Sequence, residues 1–357
     1  MIIMRNTLLK ISLWGSLCLL IACNEPNTTV PDPLAAEHGK TTGVPAIDAL
    51  TQDIKNNPDN ISLRVARANA YSEAGLYKEA EEEARRIYEY DKTNWKSARL
   101  LAWAYFDNQQ SKPALKVLER ALELHPDTIP LLLVQSEISL MVKQYNEALT
   151  AAEKVLKIQP LHVEGHFMRG LTLKYMGDTV NALNNFQTVI EQDADHEEAY
   201  LQLAGIFAAK GEAIAIDYYD NVLRIDSTHY NALKGKADFY HQNFTKDNGL
   251  LEKAKVAYER LIVHHPQEAD GTYNYAMLFM ELGDYDQAAH FFDIATKYDP
   301  TFGNAYFYKG EALEYKGDYA AAKIAYQNAS NNGERFGRAK EALERLEKGN
   351  YLKPNVE

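Results

Sequence analysis

Cysteine is almost absent from this chain. Of 357 residues only Cys18 and Cys23 carry a thiol, and both fall near the start. A disulfide framework, a cysteine zinc cluster and a thiol nucleophile are therefore excluded from everything after Cys23. Positive charge is short as well. Thirty-eight Lys and Arg stand against 50 Asp and Glu, a formal charge of −12, with no basic stripe to offset it. Such a surface repels phosphate backbones, so nucleic acid is not an expected partner.

Catalytic signatures are missing too. There is no Gly-rich phosphate loop following a strand, no Gly-x-Ser-x-Gly, and no triad or carboxylate dyad. His162 and His166 flank Glu164, but not in the His-Glu-x-x-His order, and His162 reads as a loop residue. His264-His265 precede Pro266 at a helix end, where a cation suits the helix dipole. Asp247-Asn248-Gly249 lacks the regular oxygen ligands of a calcium loop and reads as a turn. No enzyme, cofactor or metal site is expected.

What is present is apolar enough to fold, with 46% apolar and 25% charged residues. Arg5 and Lys10 precede a nearly apolar run of twelve residues, Ile11 to Ala22. That is short for a bilayer span but right for the core of a secretion signal. The run ends in Leu20-Ile21-Ala22-Cys23, which resembles the lipobox of bacterial lipoproteins. The resemblance implies cleavage after Ala22 and acylation of Cys23, and two or more acyl chains hold a protein stably where one holds marginally. Asn24 to Gly43, with Pro26, Pro31 and Pro33, reads as a tether. Asn24 is not the aspartate that retains many lipoproteins in the inner membrane, so the resemblance favours the outer membrane facing the periplasm, with surface exposure open.

From Ile61 onward a period of about 34 residues recurs, with registers opening at Ile61, Trp95, Ile129, Val163, Glu197, Tyr230, Ala269 and Gly303. The fifth repeat is one residue short, and the sixth has five extra near Thr245 to Gly249. One slot of each second helix holds Ala80, Ala114, Ala148, Ala182, Ala215, Ala254, Ala288 and Ala322. Eight such matches by chance are on the order of one in a hundred million. A first-helix slot holds Ala68, Ala102, Ser136, Gly170, Ala204, Ala237, Ala276 and Gly310. Antiparallel helices approach closely only where the crossing side chains are small. Gly75, Gly177, Gly211, Gly283 and Gly317 stand where first helices must stop, and Pro126, Pro160, Pro266 and Pro300 follow second helices.

The strings Gly283-Asp284-Tyr285 with Ala288, and Gly317-Asp318-Tyr319 with Ala322, resemble the tetratricopeptide repeat signature. The family's first-helix tryptophan is replaced by Ala98, Leu132, Tyr200, Leu233 and Tyr306. The resemblance implies an all-α fold, a right-handed superhelical solenoid of about eight helix–turn–helix repeats with capping helices at both ends. The expected organisation is a signal over 1–22, lipidated cysteine and tether over 23–43, and a cap helix over 44–60. Eight repeats over 61–332 and a cap helix with tail over 333–357 follow. Ala46, Leu50 and Ile54 are the expected inner face of the first cap, and Phe336, Ala339, Ala342 and Leu346 that of the last.

In this family the fifth, ninth and twelfth positions of the first helix line a concave groove that binds proteins or peptides. Repeats two to four place there Arg99, Trp103 and Phe106, then Leu133, Glu137 and Leu140, then Phe167, Leu171 and Lys174; Met141 and Tyr175 adjoin them, and the last repeat places there Phe307, Glu311 and Glu314. This stripe holds more apolar surface than the repeats' own core requires, which marks an interaction site for another envelope protein or peptide. A homo-oligomer face and plain packing between repeats remain open. The carboxylate clamp of chaperone-binding members is not expected, because Asp238 stands beside Lys234 and Asn274. The resulting reading is a lipid-anchored scaffold of an envelope assembly, secretion or cell-wall complex. The alternative is a solute-, peptide- or glycan-binding lipoprotein serving a transporter, with Tyr273, Met277, Phe307 and Tyr315 stacking the ligand.

Overall fold

The computed structural model describes residues 42–247, 249–332 and 336–353. The signal, Cys23 and most of the tether lie outside the described residues, as do Asn248 of the expected turn and the side chain of Phe336. Eighteen helices and no strand occur among the described residues. None of these helices is long and apolar enough to cross a membrane.

The chain divides into two compact units, one closing at Ala114 and the other opening at Leu115. The first contains α1 (Pro45–Asn56), α2 (Ile61–Glu73), α3 (Tyr77–Tyr90) and α4 (Trp95–Asp107). The division falls inside α5 (Ser111–Leu124). The second unit continues with α6 (Ile129–Met141), α7 (Tyr145–Ile158), α8 (Val163–Tyr175), α9 (Thr179–Gln192), α10 (Glu197–Ala209) and α11 (Ile214–Ile225). Then come α12 (Tyr230–Asn243), α13 (Gly249–His264), α14 (Ala269–Glu281), α15 (Tyr285–Tyr298), α16 (Gly303–Tyr315), α17 (Tyr319–Asn331) and α18 (Phe336–Glu347).

Seven of the eight repeats are hairpins closed by the same backbone device, and the sixth, with its longer loop, is not. In the first, Gly75 N–H donates to Ser72 O at 3.1 Å and Leu76 N–H to Tyr71 O at 2.8 Å, the paired bonds of a Schellman turn. The turn needs a left-handed residue, and Gly75, Gly177, Gly211, Gly283 and Gly317 supply it with φ between 69° and 87°. In repeats two and three Gln109 (φ 60°) and Lys143 (φ 63°) do the same without glycine. Asp284 and Asp318 then cap the following helices, accepting from Gln287 N–H and Ala321 N–H at 3.1 Å each. Second helices end at Leu124, Ile158, His264 and Tyr298, two residues before Pro126, Pro160, Pro266 and Pro300.

The small-residue slots are the tightest points of packing. All eight second-helix alanines have 0% exposure. At Gly170 and Gly310 an added methyl would come within 2.8 Å of Phe186 and 2.6 Å of Tyr326. In the third repeat Ser136 Oγ donates to Ala148 O at 2.8 Å, so the two slots are in direct contact.

The caps differ in detail from their sequence reading. On α1 the buried residues are Ile47, Thr51 and Ile54, while Ala46 is exposed. The stripe is rotated because Thr51 Oγ1 turns inward to accept a bond from Arg67 at 3.3 Å. On α18 Ala339, Ala342 and Leu346 are buried. Glu314, placed by sequence on the outer stripe, is 1% exposed and ties down this end of the chain. It accepts from Arg345 Nη1 at 2.6 Å, Tyr326 Oη at 2.9 Å and Leu352 N–H at 2.6 Å.

Candidate partner-binding face

The first helices set the geometry of this face. Within the second unit α6 touches α8, α10 touches α12, and α12 touches α14; in the first, α2 touches α4. Consecutive first helices thus pack side by side, and residues on their shared flank are covered by the next repeat.

In the first unit the three expected residues are half-buried. Arg99 lays its guanidinium over the Trp95 ring at 5.6 Å, a cation–π contact. Trp103 meets Phe106 edge-on with centroids 6.0 Å apart. Both rings keep accessible surface.

The second unit departs from the expected stripe. Leu133, Leu140, Phe167 and Leu171 are buried, on the touching helices α6 and α8. Phe167 also lies 4.8 Å from the His196 ring. These residues belong to the packing between repeats, so the free apolar surface is smaller than the sequence pattern suggested. Met141 stays half-buried. Tyr175 is 63% exposed and stacks on Tyr145 at 6.2 Å. Lys174 is exposed and its Nζ donates to Gln202 Oε1 at 2.7 Å.

Glu137 is the anomaly of the stripe. It is 4% exposed and lies on the same helix as Leu133 and Leu140. Burial, with the Glu164 carboxylate as second cause, pushes its pKa up to about 7. Burial and then Glu198 push Glu164 up to about 7 as well. Three carboxyl groups on the successive first helices α6, α8 and α10 therefore feel one another. His162 and His166 do not join them as a pair. His162 Nδ1 accepts from Gly165 N–H at 3.2 Å, and His166 contacts Asn185 Oδ1 at 2.9 Å and Pro160 O at 2.8 Å.

Further along, Asp238 is surrounded by donors: Lys234 Nζ at 2.8 Å, Asn274 Nδ2 at 3.0 Å and Tyr258 Oη at 2.7 Å. The two groups that would hold a carboxylate are thus already engaged by one. The four aromatic and sulfur residues considered for stacking a ligand are divided. Phe307 is buried beside Tyr326 and beneath Arg338, whereas Tyr315 stacks on Tyr285 at 4.5 Å.

The tetratricopeptide repeat family matches residues 246–295 and 273–331. Residues 246–331 carry tetratricopeptide repeats. Residues 73–155 match a second family, the anaphase-promoting complex, cyclosome, subunit 3. A crystal structure of a tetratricopeptide repeat protein from Parabacteroides merdae superposes with a TM-score of 0.51 at 18% identity, covering 70% of this chain and 97% of that one. That likeness establishes the fold. Among curated proteins, the CTR9 homolog of Arabidopsis thaliana is 25% identical over 221 residues, which is 60% of this chain and 20% of that protein. DnaJ homolog subfamily C member 7 of Homo sapiens is 24% identical over 251 residues, 65% of this chain and 48% of that protein. The chain therefore spans between a fifth and about half of these relatives.

The 34-residue register places these three carboxyl groups. Glu137 is a ninth-position residue and was read on the face. Glu164 and Glu198 hold the second position of their repeats, which was not read as part of the stripe. A signal existed: positions two, five and nine recur at helical spacing, so an acid at position two lies on the same flank as a fifth-position Phe167 or Leu201. In a tetratricopeptide helix an acid in the first turn also suits the helix dipole, which makes it look like a solvated residue.

Proposed function

We propose that the protein is a lipid-anchored scaffold of the bacterial envelope that holds another protein or peptide on the first-helix face of its repeats. The accessible Trp103, Phe106 and Tyr175 on that face carry the binding part of this reading, since aromatic side chains supply large contact area at low entropic cost. The anchor rests on Leu20-Ile21-Ala22-Cys23 behind a basic start and an apolar run. Asn24, where many inner-membrane lipoproteins carry aspartate, favours outer-membrane placement facing the periplasm, and the tether would let the repeats reach roughly 25 Å from the lipid surface. The protein's role is assembly and not chemistry.

Two measurements test the reading. Radiolabelled palmitate should enter the full chain and not the Cys23→Ser variant, which should leave the membrane fraction. Affinity purification after crosslinking should recover a partner that the Trp103→Ala, Tyr175→Ala double variant loses. Label in the serine variant, or an unchanged set of proteins with the double variant, contradicts it.

A further inference from the structure

We propose that the partner contributes an arginine side chain whose guanidinium is received between Glu137 and Glu164 on the first-helix face of the second unit. This rests on the scaffold reading and names the chemistry of what is bound.

Glu137 is 96% buried, yet among the described residues it makes no hydrogen bond and no ion pair, and Glu164 makes none either. Burying an ionised carboxylate without a donor is costly. Its oxygens are nonetheless not sealed. The buried polar side-chain atoms without a partner are Arg67 Nε, Asp107 Oδ2, Arg169 Nε, His241 Nε2 and Thr272 Oγ1, and no Glu137 atom is among them. The little of Glu137 that water reaches therefore includes its acceptor end. A cation on a thin apolar stem suits such a recessed acceptor better than a bulky ligand does.

Among the described residues no Lys, Arg or His pairs with Glu137 or Glu164. Lys174 Nζ is bonded to Gln202, and Arg169 Nε lies 3.6 Å from Glu153. His196 sits beside Glu198, with Nδ1 at 3.6 Å from its carboxylate. A metal does not fit, because no group of three His, Cys, Asp or Glu able to hold one occurs among the described residues. Of the two long cationic side chains, arginine matches better. Its planar fork carries five donors for two carboxyl groups, and it sheds water more easily than an ammonium. The overall acidity of the chain also draws a basic segment toward it.

The probe is a blocked pentapeptide, Ala-Ala-Arg-Ala-Ala, titrated calorimetrically into the full chain, against the same peptide with neutral citrulline. The arginine peptide should bind on the order of tenfold or more tightly. Binding at pH 7, compared in two buffers of different ionisation enthalpy, should release protons as the carboxyl groups ionise. Glu137→Gln with Glu164→Gln should abolish both the preference and the proton release while circular dichroism stays unchanged. Equal binding of the two peptides, no binding of either, or a preference that survives the double substitution overturns the proposal. If the crosslinked partner is still held by the double Gln variant, the scaffold reading stands and this inference alone fails.

Discussion

At Glu83, a 2% exposed carboxylate in the first unit, two guanidinium groups converge from the neighbouring helix. Arg67 Nη2 lies 2.8 Å and Arg64 Nη1 3.3 Å from it, and Arg86 approaches to 3.7 Å. Removing the shared acceptor would leave buried cations uncompensated, so Glu83→Ala should cost about 3–5 kcal/mol in urea denaturation. Lys143 makes the opposite case. Its φ of 63° is a conformation glycine takes freely, so Lys143→Gly should stabilise the chain by roughly 0.5–1 kcal/mol. Sequence alone reveals neither residue. Arginine and glutamate at these spacings look like ordinary surface, because their burial is decided by a helix 16 or 19 residues away. Lys143 stands in a turn whose geometry is set by the repeats around it.

The carboxyl groups of Glu137 and Glu164 belong to the same scale and give a pH dependence. Their ordinary value is 4.5 and each is raised to about 7 in the fold. Between those values the folded chain holds protons that the unfolded chain has released, so their contribution to stability falls as pH rises. The chain and its Glu137→Gln, Glu164→Gln variant should melt alike near pH 5. Above pH 7 the variant should melt higher. Parallel melting curves across this range contradict the assignment.

Among the elements, the alanine register was the most legible feature, and it matched the most buried positions of the molecule. The reason is that close helix crossing leaves one choice of side-chain size, which repeats in sequence. Replacing Ala148 with Leu would press on Ser136, whose hydroxyl bonds the Ala148 carbonyl. The cost should be about 1–3 kcal/mol by chemical denaturation. The outer stripe was read less well. Phe167 and Leu171 are apolar at groove positions, yet both are buried, Phe167 beside Phe186 of its own repeat and His196 of the next. A helical wheel places a residue on a flank but does not say whether the next repeat closes over it. Glu314 shows the same limit, being taken for a groove residue when it fastens the terminal helix.

For the molecule as a whole, the absence of cysteine after Cys23 leaves packing to hold both units. In the second, one apolar core runs from Tyr200 to Leu346 through successive repeats. In the proposed reading a partner is held on the first-helix face of these nearest-neighbour packed repeats, and the second-helix face is left free. The most direct measurement of that division places a photo-crosslinking amino acid at single positions of the chain in living cells. Trp103 and Met141 sample the first-helix face, while Val256 and Val263, 62% and 75% exposed, sample a second helix. A discrete protein adduct from the first pair and none from the second is the expected result. Adducts from Val256 and Val263 alone would contradict it.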